Sequence, residues 1–289
     1  MIEIKSLTKY YGETRVLRKI DATIKDGTIF GLIGINGAGK STLLKLISGM
    51  IRPSLGEIII DESSPLFDES LRTKIFYLSD QPNYAPSSTL SDLAKLYQVF
   101  YPFDYQVFQE ISNIFGVSVS TPFGNLSKGM RRQGMIAIAF ATGAKYLLLD
   151  EVFDGLDPAA RLKFKKLMIE YQTENRIFIL TSHSLRELED ICDSFGMIDN
   201  GMFKKYGDLN DELHKIKKYQ VILKSVEKVV LKENHPSYYQ MTQEGRVLTL
   251  ICDQTVDIQT YIEKDNFLAC DESPITFEEY FLLQQEVQV

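Results

Sequence analysis

The sequence predicts an α/β fold built on a mainly parallel sheet, and three observations carry that reading. Short apolar runs at Ile2–Ile4, Ile29–Ile33, Ile75–Leu78, Tyr146–Leu149, Ile177–Thr181 and Gly196–Ile198 alternate with stretches of helical periodicity. Two of them, YLLLD and IFILT, stay apolar until their last residue, as strands buried on both faces do. The run at Ile29–Ile33 passes through a glycine-rich loop into the helix-like stretch Thr42–Ser48, which is the strand, turn and helix of an α/β unit.

The loop asks for more than a turn. Gly34, four residues, then Gly39, Lys40 and Ser41 form the spacing of a phosphate-binding loop, whose backbone N–H groups curl around phosphate oxygens. Gly34, Asn36, Gly37, Ala38, Gly39 and Thr42 are the expected cradle. Bulky side chains there would block the approach. A helix starting near Lys40 adds its unsatisfied N–H groups and positive dipole end. Lys40 would place its charge on the β and γ phosphates, and Ser41 would offer a hydroxyl to Mg²⁺.

In parallel α/β sheets ligands bind where the strands end. Tyr146–Glu151, YLLLDE, therefore brings two carboxylates to the expected site: Asp150 to hold Mg²⁺ and Glu151 to polarise an attacking water. His183 closes IFILTSH at the next strand end and has a route to the γ-phosphate as a hydrogen-bond partner. His214 and His235 have no such context and are assigned no role.

The rest of the chain shows how these elements are housed. At 289 residues it exceeds the usual single domain. Residues 1–215 read as the α/β domain, with a helical insertion over about 87–144 containing LSDLAKLYQVFY, YQVFQEISNIFG and RRQGMIAIAFATG. Residues 216–289 read as a small α+β domain, with YQVILK and RVLTLIC β-like, TVDIQTYIEK and TFEEYFLLQQ helix-like, and KIKK as the joint. A net charge of −7 supplies no basic face overall and argues against nucleic acid as a partner. Cys192, Cys252 and Cys270 lack metal or redox spacing and read as buried reduced thiols, suited to the cytoplasm. Glu3 and Lys5 interrupt any signal-peptide core, and MIAIAFATGA is too short to cross a bilayer, so no membrane span is expected.

Taken in order, GINGAGKST, LSKGM at Leu126–Met130, YLLLDE, GLDP at Gly155–Pro158 and TSH resemble the motif set of ATP-binding cassette (ABC) ATPases over residues 1 to about 215. The resemblance implies a phosphate-loop NTPase core of ABC type, ATP and Mg²⁺ as cofactors, and a dimer with each ATP between one subunit's loop and the other's signature. It gives Tyr11 the role of stacking on adenine, Ser127 and Gly129 that of meeting the partner's γ-phosphate, and Asp157 that of linking the two sites. The signature usually reads LSGGQ; Lys128 replaces its first glycine and Met130 its glutamine. The loop that normally supplies a glutamine to Mg²⁺ reads LSDQP, which leaves Asp80 and Gln81 as alternatives. Val152 stands where proline is frequent.

The family also implies a separate integral membrane permease docked beside the helical insertion, which holds the subunit at the cytoplasmic face of the membrane. TFEEYF at Thr276–Phe281 is similar to the C-terminal extension of bacterial ABC-2-class exporters of drugs, peptides or lipids. The dimer is expected to join two copies, with a related ATPase subunit as the alternative partner. A soluble, non-transport ABC ATPase working on ribosomes or nucleic acid is the second reading, and an unrelated phosphate-loop enzyme such as a nucleotide kinase the third.

Overall fold

The structure is a computed structural model of the chain and describes residues 1–225, 238–258, 262 and 266–286. It divides into two units, Met1–Tyr206 and Gly207–Val289.

The first unit opens with β1 (Ile2–Tyr11) and β2 (Thr14–Ile24), an antiparallel pair. Next, β3 (Ile29–Ile33) leads through the glycine loop into α1 (Lys40–Ile47), and β4 (Leu55–Ile60) returns to pair antiparallel with β1. The expected strand at Ile2–Ile4 is thus present, but in a separate three-stranded sheet of order β2-β1-β4 rather than in the parallel core. β2 escaped the sequence reading because its sheet has one wet face. Along TRVLRKIDATI the buried Leu17, Ile20, Ala22 and Ile24 are interleaved with exposed charged and polar residues.

Beyond α2 (Glu69–Arg72) and β5 (Ile75–Leu78) come the three helices expected between residues 87 and 144: α3 (Leu90–Gln98), α4 (Tyr105–Phe115) and α5 (Lys128–Ala141). α3 starts at a capping box in which the Thr89 hydroxyl accepts from the Asp92 N–H and the Asp92 side chain accepts from the Thr89 N–H. α4 runs from the Asp104 cap to a left-handed Gly116. The chain continues with β6 (Tyr146–Leu149), α6 (Pro158–Tyr171), β7 (Ile177–Thr181), α7 (Leu185–Glu189), β8 (Ser194–Asp199) and β9 (Met202–Asp208).

The six-stranded sheet has the order β5-β6-β7-β3-β8-β9, with every pair from β5 to β8 parallel. One of its faces shares a core with α1 and the antiparallel sheet, where Ile4, Leu44, Leu148 and Ile179 meet. On the other, Phe140 of α5 packs 5.8 Å from Phe178 of β7 and 6.4 Å from Phe164 of α6. Both faces are therefore dry, which explains the unbroken apolar runs of β6 and β7, each such side chain contributing about 1.5–3 kcal/mol.

In the second unit α8 (Leu209–His214) precedes β10 (Ile216–Leu223), so KIKK lies at the start of a strand and the division between units falls ahead of it. With β11 (Tyr238–Glu244), β12 (Val247–Asp253) and β13 (Phe267–Pro274) it makes an antiparallel sheet of order β11-β12-β10-β13. TFEEYFLLQQ forms α9 (Phe277–Glu286), opened by reciprocal hydrogen bonds between Thr276 and Glu279. His235 and part of TVDIQTYIEK lie outside the described residues. Cys192 and Cys252 are buried, whereas Cys270 is half-buried rather than enclosed as expected. Among the described residues no helix is long and apolar enough to cross a membrane.

Candidate functional site

Strand order assembles the site. β6, β7 and β3 are consecutive neighbours, so the residues following their carboxyl ends, Glu151, His183 and the glycine loop, open side by side. They border a cleft of about 280 Å³ lined by Asn36, Gly37, Ala38, Gly39, Lys40, Ser41, Thr42, Asp80, Glu151 and His183, with Val16 and Ile35 at its apolar edge.

The loop is fixed by close approach. Gly34 has φ 156°, and a Cβ there would stand 2.4 Å from the Ile198 carbonyl oxygen, so no other residue fits without moving β8. Gly39, also at positive φ, is the N-cap of α1 and gives it no side-chain hydrogen bond. The first turn's N–H groups are left for an anion. Lys40 is only 6 % exposed; its ammonium donates to the Gly34 and Ile35 carbonyls at 2.7 and 3.4 Å and lies 3.7 Å from Glu151 Oε1.

The two carboxylates occupy different surroundings. Glu151 Oε1 stands 3.3 Å from His183 Nε2. Burial pushes the Glu151 carboxyl above the ordinary carboxylate range, against the opposing pull of His183 and Lys40. Asp150 is 2 % exposed and does not line the cleft; its oxygens accept from Thr181 Oγ1 at 2.7 Å and from the Tyr77 hydroxyl at 3.0 Å. Of the two alternatives after β5, Asp80 lines the cleft, while Gln81 is exposed and outside the lining. Hydroxyl and carboxylate oxygens of Ser41, Asp80 and Asp150 are the hard donors that suit Mg²⁺, which takes few protein ligands and completes its shell with phosphate and water.

Other expected residues stand apart from this cleft. Tyr11 is exposed at the end of β1, with the Lys9 ammonium 5.1 Å from its ring centre. Ser127 caps α5, its hydroxyl accepting from the Met130 N–H at 3.2 Å, and Asp157 caps α6 by accepting from the Ala160 N–H at 2.8 Å. Gly129 abuts the following loop so tightly that a Cβ would lie 2.6 Å from the Gly155 carbonyl oxygen. None of the four lines the cleft of its own chain.

Tyr77 and Arg132 were not singled out from the sequence, and Thr181 was placed at the expected site only as part of the TSH string, although each holds a site residue. Thr181 carries the clearest signal, since it stands in the TSH string. Glu151 has φ 47°, a left-handed backbone that costs a non-glycine residue about 1–3 kcal/mol, and its N–H donates to Thr181 Oγ1 at 2.7 Å. That hydroxyl joins Asp150 to Glu151. Thr181→Val keeps the shape but leaves a carboxylate oxygen and an N–H unpaired. We expect a stability loss of about 1–3 kcal/mol and more than about tenfold slower ATP turnover, with ATP affinity nearly unchanged. Calorimetry and steady-state kinetics check it; wild-type turnover would remove Thr181 from this role.

The family model described as ABC transporter matches residues 17–154. Over 98 % of this chain and 97 % of the relative's length, the sequence is 28 % identical to the ABC transporter ATP-binding protein YtrB of Bacillus subtilis (strain 168). A solved structure described as the ATP binding subunit of an ABC transporter is 30 % identical, with a TM-score of 0.67, covering 73 % of this chain and 91 % of that one. The ATP-binding cassette MJ0796, solved as a dimer in a post-hydrolysis state with ADP and Pi, is 22 % identical at a TM-score of 0.65, covering 72 % of this chain and 99 % of that one, and shares the fold.

Proposed function

This chain belongs to the ABC transporter family, and on that premise we propose that it is the ATP-hydrolysing subunit that powers a separate membrane permease, together forming an exporter. The carrying observation is the convergence of Lys40, Glu151 and His183 on one glycine-loop cleft. Lys40 and the loop N–H groups bind the phosphates. Glu151 takes a proton from the attacking water, and His183 positions the γ-phosphate by a hydrogen bond. Ser41 and Asp80, with Asp150 behind them, would hold Mg²⁺, which neutralises charge developing on the β and γ phosphates.

Ser127, Gly129 and Asp157 stand outside their own cleft, as residues serving a second copy would. We therefore read the working unit as a dimer of two such chains, or of this chain with a related subunit, closed by ATP and released by hydrolysis. A groove of about 370 Å³ lined by Met50, Arg72, Phe76, Tyr77, Tyr97 and Tyr101, with exposed Leu96, Val99 and Phe100 on the same helical region, supports docking of an apolar cytoplasmic segment of the permease. That docking holds the chain at the inner membrane face. Nothing in the site favours the ribosome or nucleic-acid reading.

Affinity purification of the tagged protein from detergent-solubilised membranes tests this. A stoichiometric polytopic membrane protein is the expected companion, and ribosomal or DNA-repair proteins in its place would overturn the transport assignment. The same reading sets the pH dependence. Only the deprotonated Glu151 accepts a proton, and burial raises its pKa from the ordinary 4.5. Turnover at saturating ATP should fall on acidification through a pKa above that value, and a limb at or below it contradicts the role.

A further inference from the structure

The helix that begins at the signature is fastened to its own subunit's ATP site at two points four residues apart. Lys128 and Arg132 occupy positions i and i+4 on α5 and so share one face of its first turns. The Arg132 side chain is 4 % exposed. Its guanidinium donates to the Ser79 carbonyl at 3.0 Å, the Asp80 carbonyl at 2.5 Å and Asp80 Oδ1 at 3.1 Å, and reaches the Asp150 carbonyl at 3.5 Å. A charge so deeply desolvated stays only where its fork is filled, and these partners come from the ends of β5 and β6. Lys128 donates to Asp154 Oδ2 at 2.5 Å, within the turn in which the Asp154 N–H donates to the Glu151 carbonyl at 3.0 Å. That pair is 67 % and 52 % exposed, so it adds little to stability, and its value lies in position.

We propose that Arg132 and Lys128 are positioning residues that lock the signature helix to the Asp80 loop and to the turn after Glu151, so that one subunit's ATP site sets how Ser127 and Gly129 are presented to a second copy. The two ATP sites of a dimer are thereby coupled through α5. A glycine at position 128, as the usual signature has, could not make the second tie. The inference rests on the dimer reading above and adds the means by which occupancy of one site is reported to the other.

The test is made in the Glu151→Gln background with Arg132→Lys, which keeps the charge and loses the fork, and separately with Lys128→Met, an exposed change that cannot unfold the chain. ADP affinity by calorimetry without Mg²⁺ reports the phosphate loop of a subunit's own site, which neither residue lines, and light scattering with Mg²⁺ and ATP reports dimer closure. We expect ADP affinity within about threefold of the parent and ATP-driven dimerisation weakened at least about tenfold for Arg132→Lys and several-fold for Lys128→Met. Unchanged dimerisation in both variants overturns the proposal. So does a loss of ADP affinity as large as the loss of dimerisation, because the residues would then serve only their own site. A parent that binds ATP yet stays monomeric overturns the dimer reading, and this inference with it.

Discussion

Replacing Glu151 with glutamine is expected to stop hydrolysis and leave ATP bound. The amide is nearly isosteric, so the left-handed turn and the N–H bond to Thr181 survive, but the proton acceptor is gone. Turnover should fall by at least about 100-fold, the scale of a lost general base. ATP affinity should hold or tighten, since a carboxylate that repels the γ-phosphate is replaced by a neutral group. The bridged state then persists, and scattering with Mg²⁺ and ATP should report a particle of twice the mass. Ordinary hydrolysis in this variant would overturn the assignment of Glu151.

Lys40→Ala acts one step earlier. The ammonium sits within the loop on the Gly34 and Ile35 carbonyls, and its charge-assisted bonds to phosphate would each be worth about 1.5–3 kcal/mol. Losing two of them weakens ATP binding by roughly 100-fold or more. Glu151 would also lose a cation 3.7 Å away and bind its proton more tightly still. Calorimetric titration with ATP is the check, with a thermal melt to show that the variant is folded; unchanged affinity would remove the phosphate-loop role from this stretch.

The glycine loop could be read because close backbone approach and left-handed φ demand glycine at fixed spacing. The runs of β6 and β7 could be read because a strand dry on both faces has no polar alternation. β2 and β4 could not, since a strand with one wet face differs little from an exposed segment until its partners are known. The order β5-β6-β7-β3-β8-β9 is equally invisible along the chain, yet it is what sets His183 beside Glu151. Which of Asp80 and Gln81 faces the cleft was hidden for the same reason. Side-chain direction after β5 depends on Arg132, a residue 52 positions away that holds the Asp80 carbonyl.

The left-handed backbone at Glu151 gives this site a direction of drift under selection. Glycine or asparagine would adopt φ 47° at less cost, so either could raise the melting temperature while abolishing turnover. A population screened for heat resistance alone would accumulate such changes, and only a screen that also demands work from ATP keeps the carboxylate where the backbone would rather not have it.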